Sequence, residues 1–413
     1  MKVGAGVRRV VVDTAPLRVP AYRRILVGYG VSFVGFQVTA VAVPVQVFAI
    51  TGSSFYVGVL GLVQLVPLVA FGLWGGAVAD AADRRLVALL SSLVMWATTL
   101  GLLAQALVGL RSVWLILALM AVQSGAFAIV QPTRGAIIPR LVPVELVPAA
   151  NTLSFTMANV ATIAGPLLAG VFLGRSSGYQ WAYAADAVLF TLGLYATVRL
   201  PRLPPEGGGS RPGLRSVVDG LRYLAGRPVL LMSCAVDIAA MVLAMPRALF
   251  PEVAERRFGG PGAVGWLYAA IAVGAVVGGL SSGWIGRVRR QGLALIAAVV
   301  AWGVFVAAAG LARSLWLAVL LLAAAGAADL VSAVYRLTLL QVYAPDQLRG
   351  RLQGVFVVVV AGGPRLGDAR AGMVAAAVGV TASWVAGGLA CAVSVVLLGA
   401  AFPALRRYTA PAG

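Results

Sequence analysis

Apolar residues run along this chain in blocks of roughly twenty or more, separated by short segments rich in Gly, Pro and Arg. A block of that length is what an α-helix needs to cross the hydrocarbon core of a bilayer. Bounding each block by its charges and turn residues predicts six spans near 25–50, 55–79, 86–110, 113–133, 151–174 and 179–199. Six more follow near 229–250, 262–286, 291–311, 314–340, 352–379 and 383–403. The expected fold is an all-α membrane protein of twelve transmembrane helices. The region before Tyr22 is basic and broken by Pro16 and Pro20, and the first block is long enough to span, so it is expected to stay as an uncleaved first helix.

The stretch around Arg134 is written twice. Arg134, Pro143, Leu146, Gly165 and Gly170 return as Arg336, Pro345, Leu348, Gly367 and Gly372, each 202 positions later with no gap. A constant offset of half the chain marks a duplicated half, so the twelve helices should form two pseudo-symmetric six-helix bundles with a solute pathway between them. The division that follows is a cytoplasmic tail over 1–22, a bundle over 23–199, a cytoplasmic linker over 200–228, a second bundle over 229–405 and a tail over 406–413. The linker carries Pro204, Pro205 and Gly207 to Gly209 before an Arg-rich segment. Its residues 214–224 read either as a short amphipathic helix on the membrane surface or as a solvated connector.

Composition agrees. With 61% hydrophobic residues, 11% charged residues and a mean hydropathy of +0.96, the chain is too apolar for a soluble fold. The net charge of +19 sits in short breaks between apolar blocks, not on one continuous face, which argues against nucleic acid. It reads as topology instead. Twenty-four Arg and Lys fall on the side that holds both termini, against six on the other (Arg111, Arg175, Arg247, Arg256, Arg257 and Arg313), so both termini should be cytoplasmic. The chain has no histidine, Cys234 and Cys391 lie apart inside apolar blocks, and no G-x-x-x-x-G-K-[ST] segment occurs. An enzyme, a metal site and a nucleotide-driven pump are therefore disfavoured.

Between the second and third spans stand Gly76, Asp80, Arg84 and Arg85, spaced so that a Gly, an Asp and a basic pair fall at successive helix turns. This loop resembles the signature of the major facilitator superfamily, with Asp83 where that family commonly has Gly. By resemblance it is a gating loop that steadies the outward-facing state. The matching loop of the second half, from Gly278 to Arg287, has no carboxylate, so gating charge is asymmetric. Gly165, Pro166 and Gly170 in the fifth span are similar to the helix-packing motif of exporters and antiporters in that superfamily. The fourth span keeps Gly125 after Gln123 but has Leu119 and Met120 where a membrane Arg is usual, so no proton relay through such an Arg carries over. Gln131 to Arg134, Pro139 to Pro143, Pro148 to Asn151, Pro345 to Arg351 and Gly362 to Asp368 look like the enterobactin-exporter branch, also described as transmembrane secretion effectors. The resemblance covers Tyr22 to Leu405. It implies export of siderophores, secondary metabolites or drugs across a bacterial inner membrane, driven by the proton gradient; no cofactor is expected, and a monomer is the expectation, with the oligomeric state left open by the sequence. Import, or a membrane scaffold that transports nothing, are the alternatives.

Charged side chains in spans are costly and mark pathways. Asp186, Asp237, Asp329 and Asp368 qualify. At about 1.5 Å per helical residue, Asp237 lies roughly 14 Å in from Arg227 and Asp329 roughly 18 Å in from Gln341. Asp237, Asp329 and Asp368 are candidates for proton coupling. Arg336, Arg365, Arg370 and Arg134, with Gln64, Gln123 and Gln131, are candidates for substrate binding. Internal ion pairs, Asp329 with Arg336 and Asp368 with Arg365 or Arg370, explain the same residues equally well. Asp186, close to Tyr179 and Trp181 at the outer end of the sixth span, reads as structural. The glycines, Pro364 and charges of the eleventh span predict a broken helix there. Trp74, Trp114, Trp181, Trp266 and Trp316 lie near span ends and read as interfacial anchors.

Overall fold

The computed structural model describes residues 13–81, 83–201, 203, 222, 226–343, 349–406 and 408–409, and their side chains outside 73–81, 228, 340–343 and 349–361. All regular structure among the described residues is helical. The first half holds α1 (Pro20–Thr51), α2 (Ser54–Ala81), α3 (Arg84–Val108), α4 (Val113–Ile137), α5 (Val147–Leu173) and α6 (Gly178–Val198). The second holds α7 (Pro228–Leu243), α8 (Phe250–Arg257), α9 (Ala263–Leu280), α10 (Gln291–Leu311), α11 (Leu315–Tyr343), α12 (Arg349–Val378) and α13 (Val380–Ala401). Eleven described stretches are long and apolar enough to cross a membrane, α7 and α8 counting as one from Val229 to Arg257. The remaining long helix, α12, has 30 residues but carries Arg365, Asp368 and Arg370 in its body. Most of the expected linker, with residues 214–221 and 223–224 of its possible surface helix, lies outside the described residues.

Short polar signals set the helix ends. Gly52 (φ 66°) and Gly109 (φ 73°) close α1 and α3 in the left-handed conformation that glycine adopts without penalty. Asp83, the departure from the family loop, is the N-cap of α3: its Oδ1 accepts from the Arg85 backbone N–H at 2.8 Å. The same oxygen accepts from Leu203 N–H at 3.2 Å, tying the chain beyond α6 to the α2–α3 loop.

Within the first bundle α1 packs on α5 and α6, α2 on α4, and α3 on α4 and α6. In the second, α11 packs on α9 and α10, α13 on α10, and α7 on α12 and α13. The most extensive contacts between the bundles among the described residues are α2 with α12 and α5 with α9. The duplicated glycines make both kinds of contact. Gly165 of α5 lies against Gln37 of α1, as Gly367 of α12 lies against Met241 of α7, each within a bundle. One turn further on, Gly170 of α5 meets Gly262 and Gly265 at the start of α9, as Gly372 of α12 meets Ser54 and Gly58 at the start of α2, each across the interface. A missing Cβ lets backbones touch. Both cross-bundle contacts fall at the end of the molecule opposite the termini, so the halves are shut there.

Two sequence expectations are corrected. The eleventh span is one continuous helix with Pro364 inside it. Its glycines serve close packing, Gly363 and Gly367 against Met241 and Gly372 against α2, and do not free backbone groups. The break falls in the seventh span. There α7 stops at Leu243, a 3-10 turn spans Arg247–Leu249, and α8 resumes at Phe250, with Pro246 and Pro251 removing N–H donors on either side of the turn. The seventh span therefore runs on to Arg257, and Arg247, expected outside the membrane, lies inside the molecule.

Candidate functional site

A cavity of about 240 Å³ lies between the bundles at the level of this break. The first half contributes Phe36, Gln37, Gln64, Gln123, Phe127, Thr162 and Pro166; the second contributes Arg247, Tyr268, Pro364, Arg365 and Asp368. Each is placed by its helix. Phe36 stacks on Phe127 with centroids 5.0 Å apart and rings nearly parallel, giving a flat aromatic wall. The Gln64 carbonyl accepts from Ser124 Oγ at 2.8 Å, which locks α2 to α4 beside the two glutamines. Tyr268 donates to the Arg247 carbonyl at 3.2 Å and fixes the turn.

The break in the seventh span is held from α12. Asp368 Oδ1 accepts from the Ala248 N–H at 3.1 Å. Two residues on, Arg370 donates to the Leu243 carbonyl at 2.6 Å, the Val242 carbonyl at 3.2 Å and the Ser383 carbonyl at 3.4 Å. A helix end exposes unpaired carbonyls with negative partial charge, and a following helix start exposes N–H groups with positive partial charge. Arg370 covers the first set and Asp368 meets the second. Arg370 thus stands behind the cavity wall, not among the lining residues, whereas Asp368 is shared between break and cavity, with Arg247 and Arg365 in electrostatic contact.

Asp237 and Arg336 form a buried ion pair between α7 and α11, with exposures of 1% and 5%. Asp329 lies 3.9 Å from the same guanidinium, at the limit of pairing, and interacts with Arg247. None of the three lines the cavity. Arg134, the first-half counterpart of Arg336, rests over the Tyr29 ring at 4.1 Å from its centre. Gln131 is exposed and away from the cavity. Asp186, expected at an outer end, lies fully buried among α1, α3 and α6, its Oδ2 accepting from Thr39 at 2.6 Å and Thr99 at 3.1 Å.

In the α2–α3 loop the side chains of Gly76 and Asp80 lie outside the described residues. Arg84 donates to the Ala136 carbonyl at 3.4 Å and Arg85 to the Val198 carbonyl at 2.7 Å, so the basic pair meets the carbonyl ends of α4 and α6 within its own bundle. At the opposite end Ser54 of α2 donates to Glu252 of α8 at 2.5 Å, across the bundles, and Arg256 pairs with Glu252 at 2.9 Å. On α5, Thr152, Thr156 and Asn159 recur at helical spacing and lead from the terminal end toward Thr162 in the cavity wall. Each satisfies its donor on its own helix, four residues back, so the stripe stays polar without needing a partner.

Sequence reasoning missed Arg247, Tyr268 and the Phe36–Phe127 pair. Pro246 and Pro251 bracketing Arg247 were the available signal for the first. Nothing in the pattern marked the others.

A model of transmembrane secretion effectors matches residues 12–410. The chain belongs to that family of major facilitator transporters. It is 29% identical to the protein named enterobactin exporter EntS of Shigella boydii serotype 18, over 94% of this chain and 93% of the relative. The enterobactin exporter EntS of Citrobacter koseri is also 29% identical, over 95% and 94%. Among solved structures, the nucleoside transporter NupG superposes with a TM-score of 0.73 at 16% identity, covering 94% and 99% of the two chains. A bacterial homologue of the lysosomal transporter Spinster superposes at 0.70 with 16% identity, over 95% and 96%. These likenesses show the fold. This family member is a multi-pass membrane transporter that exports a small molecule, and it is not an enzyme.

Proposed function

We propose that this transporter exports an anionic small molecule of the siderophore or secondary-metabolite class by alternating access, in exchange for protons. It works as a monomer in a bacterial inner membrane with both termini in the cytoplasm. With that orientation, the end closed by α2 with α12 and α5 with α9 is the periplasmic one. The polar stripe of α5 then lines the cytoplasmic approach, a cargo-receiving posture. The relatives named enterobactin exporter support the substrate class, as do Arg247 and Arg365 for acidic oxygens and the Phe36–Phe127 wall for flat rings.

The observation that carries this reading is the double duty of Asp368, which faces the cavity and also holds the turn at the break of the seventh span. Cargo lying against Arg247 and Arg365 draws these cations from Asp368, the carboxylate's hold on the Ala248 N–H shifts, and α8 loosens. Glu252 on α8 then releases Ser54, and the periplasmic end parts. The cargo leaves on that side, Asp368 takes a proton from the periplasm in its place, and once the end has closed again that proton is lost to the cytoplasm, which restores the carboxylate at the break. Everted vesicles given enterobactin as probe test this: an inward-acid gradient should drive accumulation, and Asp368→Asn should abolish the gradient dependence. Accumulation in the wild type that ignores the gradient, or none at all, overturns the proposal.

A further inference from the structure

We propose that Asp186 is a second proton-binding site, built into the N-terminal bundle and connected to the cavity through Thr99 and Gln123; the coupling role of this site rests on the proton-exchange reading above. Asp186 is 0% exposed, at the junction of α1, α3 and α6. Its Oδ2 takes hydrogen bonds from Thr39 and Thr99, and the Gln123 amide donates to Thr99 Oγ1 at 3.4 Å. Gln123 in turn lines the cavity, so two hydrogen bonds separate the carboxyl group from the transport path. Two acceptors along this route have no partner, Asp186 Oδ1 and Gln123 Oε1, although Gln123 is only 1% exposed.

The other acidic groups inside the molecule face cations. Asp237 has Arg336, Glu252 has Arg256, and Asp368 has Arg247 and Arg365. No described cation pairs with Asp186. The groups facing it are Thr39 and Gly35 from α1, Thr99 from α3 and, on its own helix, Tyr183, whose hydroxyl is engaged with Gln46 at 2.6 Å. Two neutral hydroxyls do not offset a full charge in a medium this dry. A carboxyl group that keeps its proton fits the shell and can use Oδ1 as a donor.

The route for release is also present. Gly35 brings the α1 backbone so close to Asp186 that a Cβ there would lie 2.5 Å from Oδ1, and the next two residues, Phe36 and Gln37, line the cavity. A shift of α1 as cargo enters or leaves therefore reaches the carboxyl group directly. In the release step the O–H bond of Asp186 breaks, the proton passes to water entering past Gln123, and the carboxylate stays held by Thr39 and Thr99.

The test needs no cargo. Infrared difference spectra of the full-length protein in lipid vesicles, recorded as pH is stepped, should show the carbonyl stretch of a buried carboxylic acid that titrates. Asp186→Asn should remove that band, Asp186→Glu should move it, and Thr99→Val should keep it while slowing its titration. Retention of the whole band in Asp186→Asn, or a band that never titrates, overturns the site. If Asp186→Asn fails to fold, an unshifted band in Asp186→Glu does the same. Proton release driven by enterobactin in the same vesicles separates the two ideas: its absence from the wild type sinks the exchange reading while the titrating band keeps the site.

Discussion

Arg134 and Arg336 stand at matching places in the two halves, yet their surroundings differ in kind. Arg336 sits against Asp237 with Asp329 close by, whereas Arg134 lies over the Tyr29 ring. The buried carboxylates differ in the same sense: Asp237 is answered by a guanidinium, Asp186 by two hydroxyls. Beside this divergence the packing is conserved, since Gly165 and Gly170 touch their neighbours as Gly367 and Gly372 do. The duplication kept the surfaces on which the bundles meet and redistributed the charges inside them. A mechanism that moves two similar bodies against each other needs the first to be symmetric. Loading a proton at one place and a substrate at another requires that the second is not.

The comparison can be broken most forcefully at the ion pair. Arg336→Met leaves Asp237 buried without a counter-charge, which should cost about 3–5 kcal/mol and lower the thermal midpoint in detergent, while Asp237→Asn with Arg336→Met should regain most of the loss. Arg134→Met, at the matching place, should cost only about 2 kcal/mol, the scale of a desolvated cation–ring contact. Equal losses at both arginines would remove the asymmetry. Next comes Arg370→Met. Uncovering the carbonyls at the end of α7 should cost about 1.5–3 kcal/mol, the scale of a hydrogen bond to a charged group, and should show as faster amide exchange around Leu243 to Ala248.

Gly170→Ala and Gly372→Ala sharpen the symmetric half of the comparison. Each new methyl meets backbone at the closed end, Gly262 in one case and Ser54 in the other, so each should disfavour closure by about 1–3 kcal/mol. The two should raise the labelling of cysteines placed at that end by similar factors; an effect at one glycine alone would deny that the contacts are equivalent. Ser54→Ala is the mildest change. Loss of one hydrogen bond to Glu252, which Arg256 still pairs, should weaken closure by about 1.5 kcal/mol, the low end for a hydrogen bond to a charged group, read as a small rise in the same labelling.

What could be read in the sequence follows from how local each signal is. The apolar blocks and the fixed offset between Gly165 and Gly367 are properties of the chain itself, so the helical fold and its two bundles are legible in it. The break was not, because Gly362, Gly363, Pro364 and Gly367 look like helix breakers until Met241 is placed against them. Arg370 was picked out as a charge in the membrane, but its role depends on Val242 and Leu243, more than a hundred positions away in the chain. Asp368 carries the same signal and does line the cavity; Arg247, counted among the charges of the far side, falls well inside a seventh span that runs on to Arg257 instead of ending near 250. Asp186 was found by its charge and then discounted by its neighbours Tyr179 and Trp181, since helix depth alone does not reveal that Thr39 and Thr99 converge on it.

On the proposed mechanism the two homologous bundles meet at the periplasmic end, through Ser54 and Glu252 among other contacts, and must part there to release cargo. The most direct test is a short thiol cross-linker applied to Ser54→Cys with Glu252→Cys in a chain whose Cys234 and Cys391 are replaced by Ala. If the ends must part, the pair bridges readily, enterobactin efflux is lost, and efflux returns when a cleavable linker is cut. Bridged protein that still exports at the uncross-linked rate would contradict it.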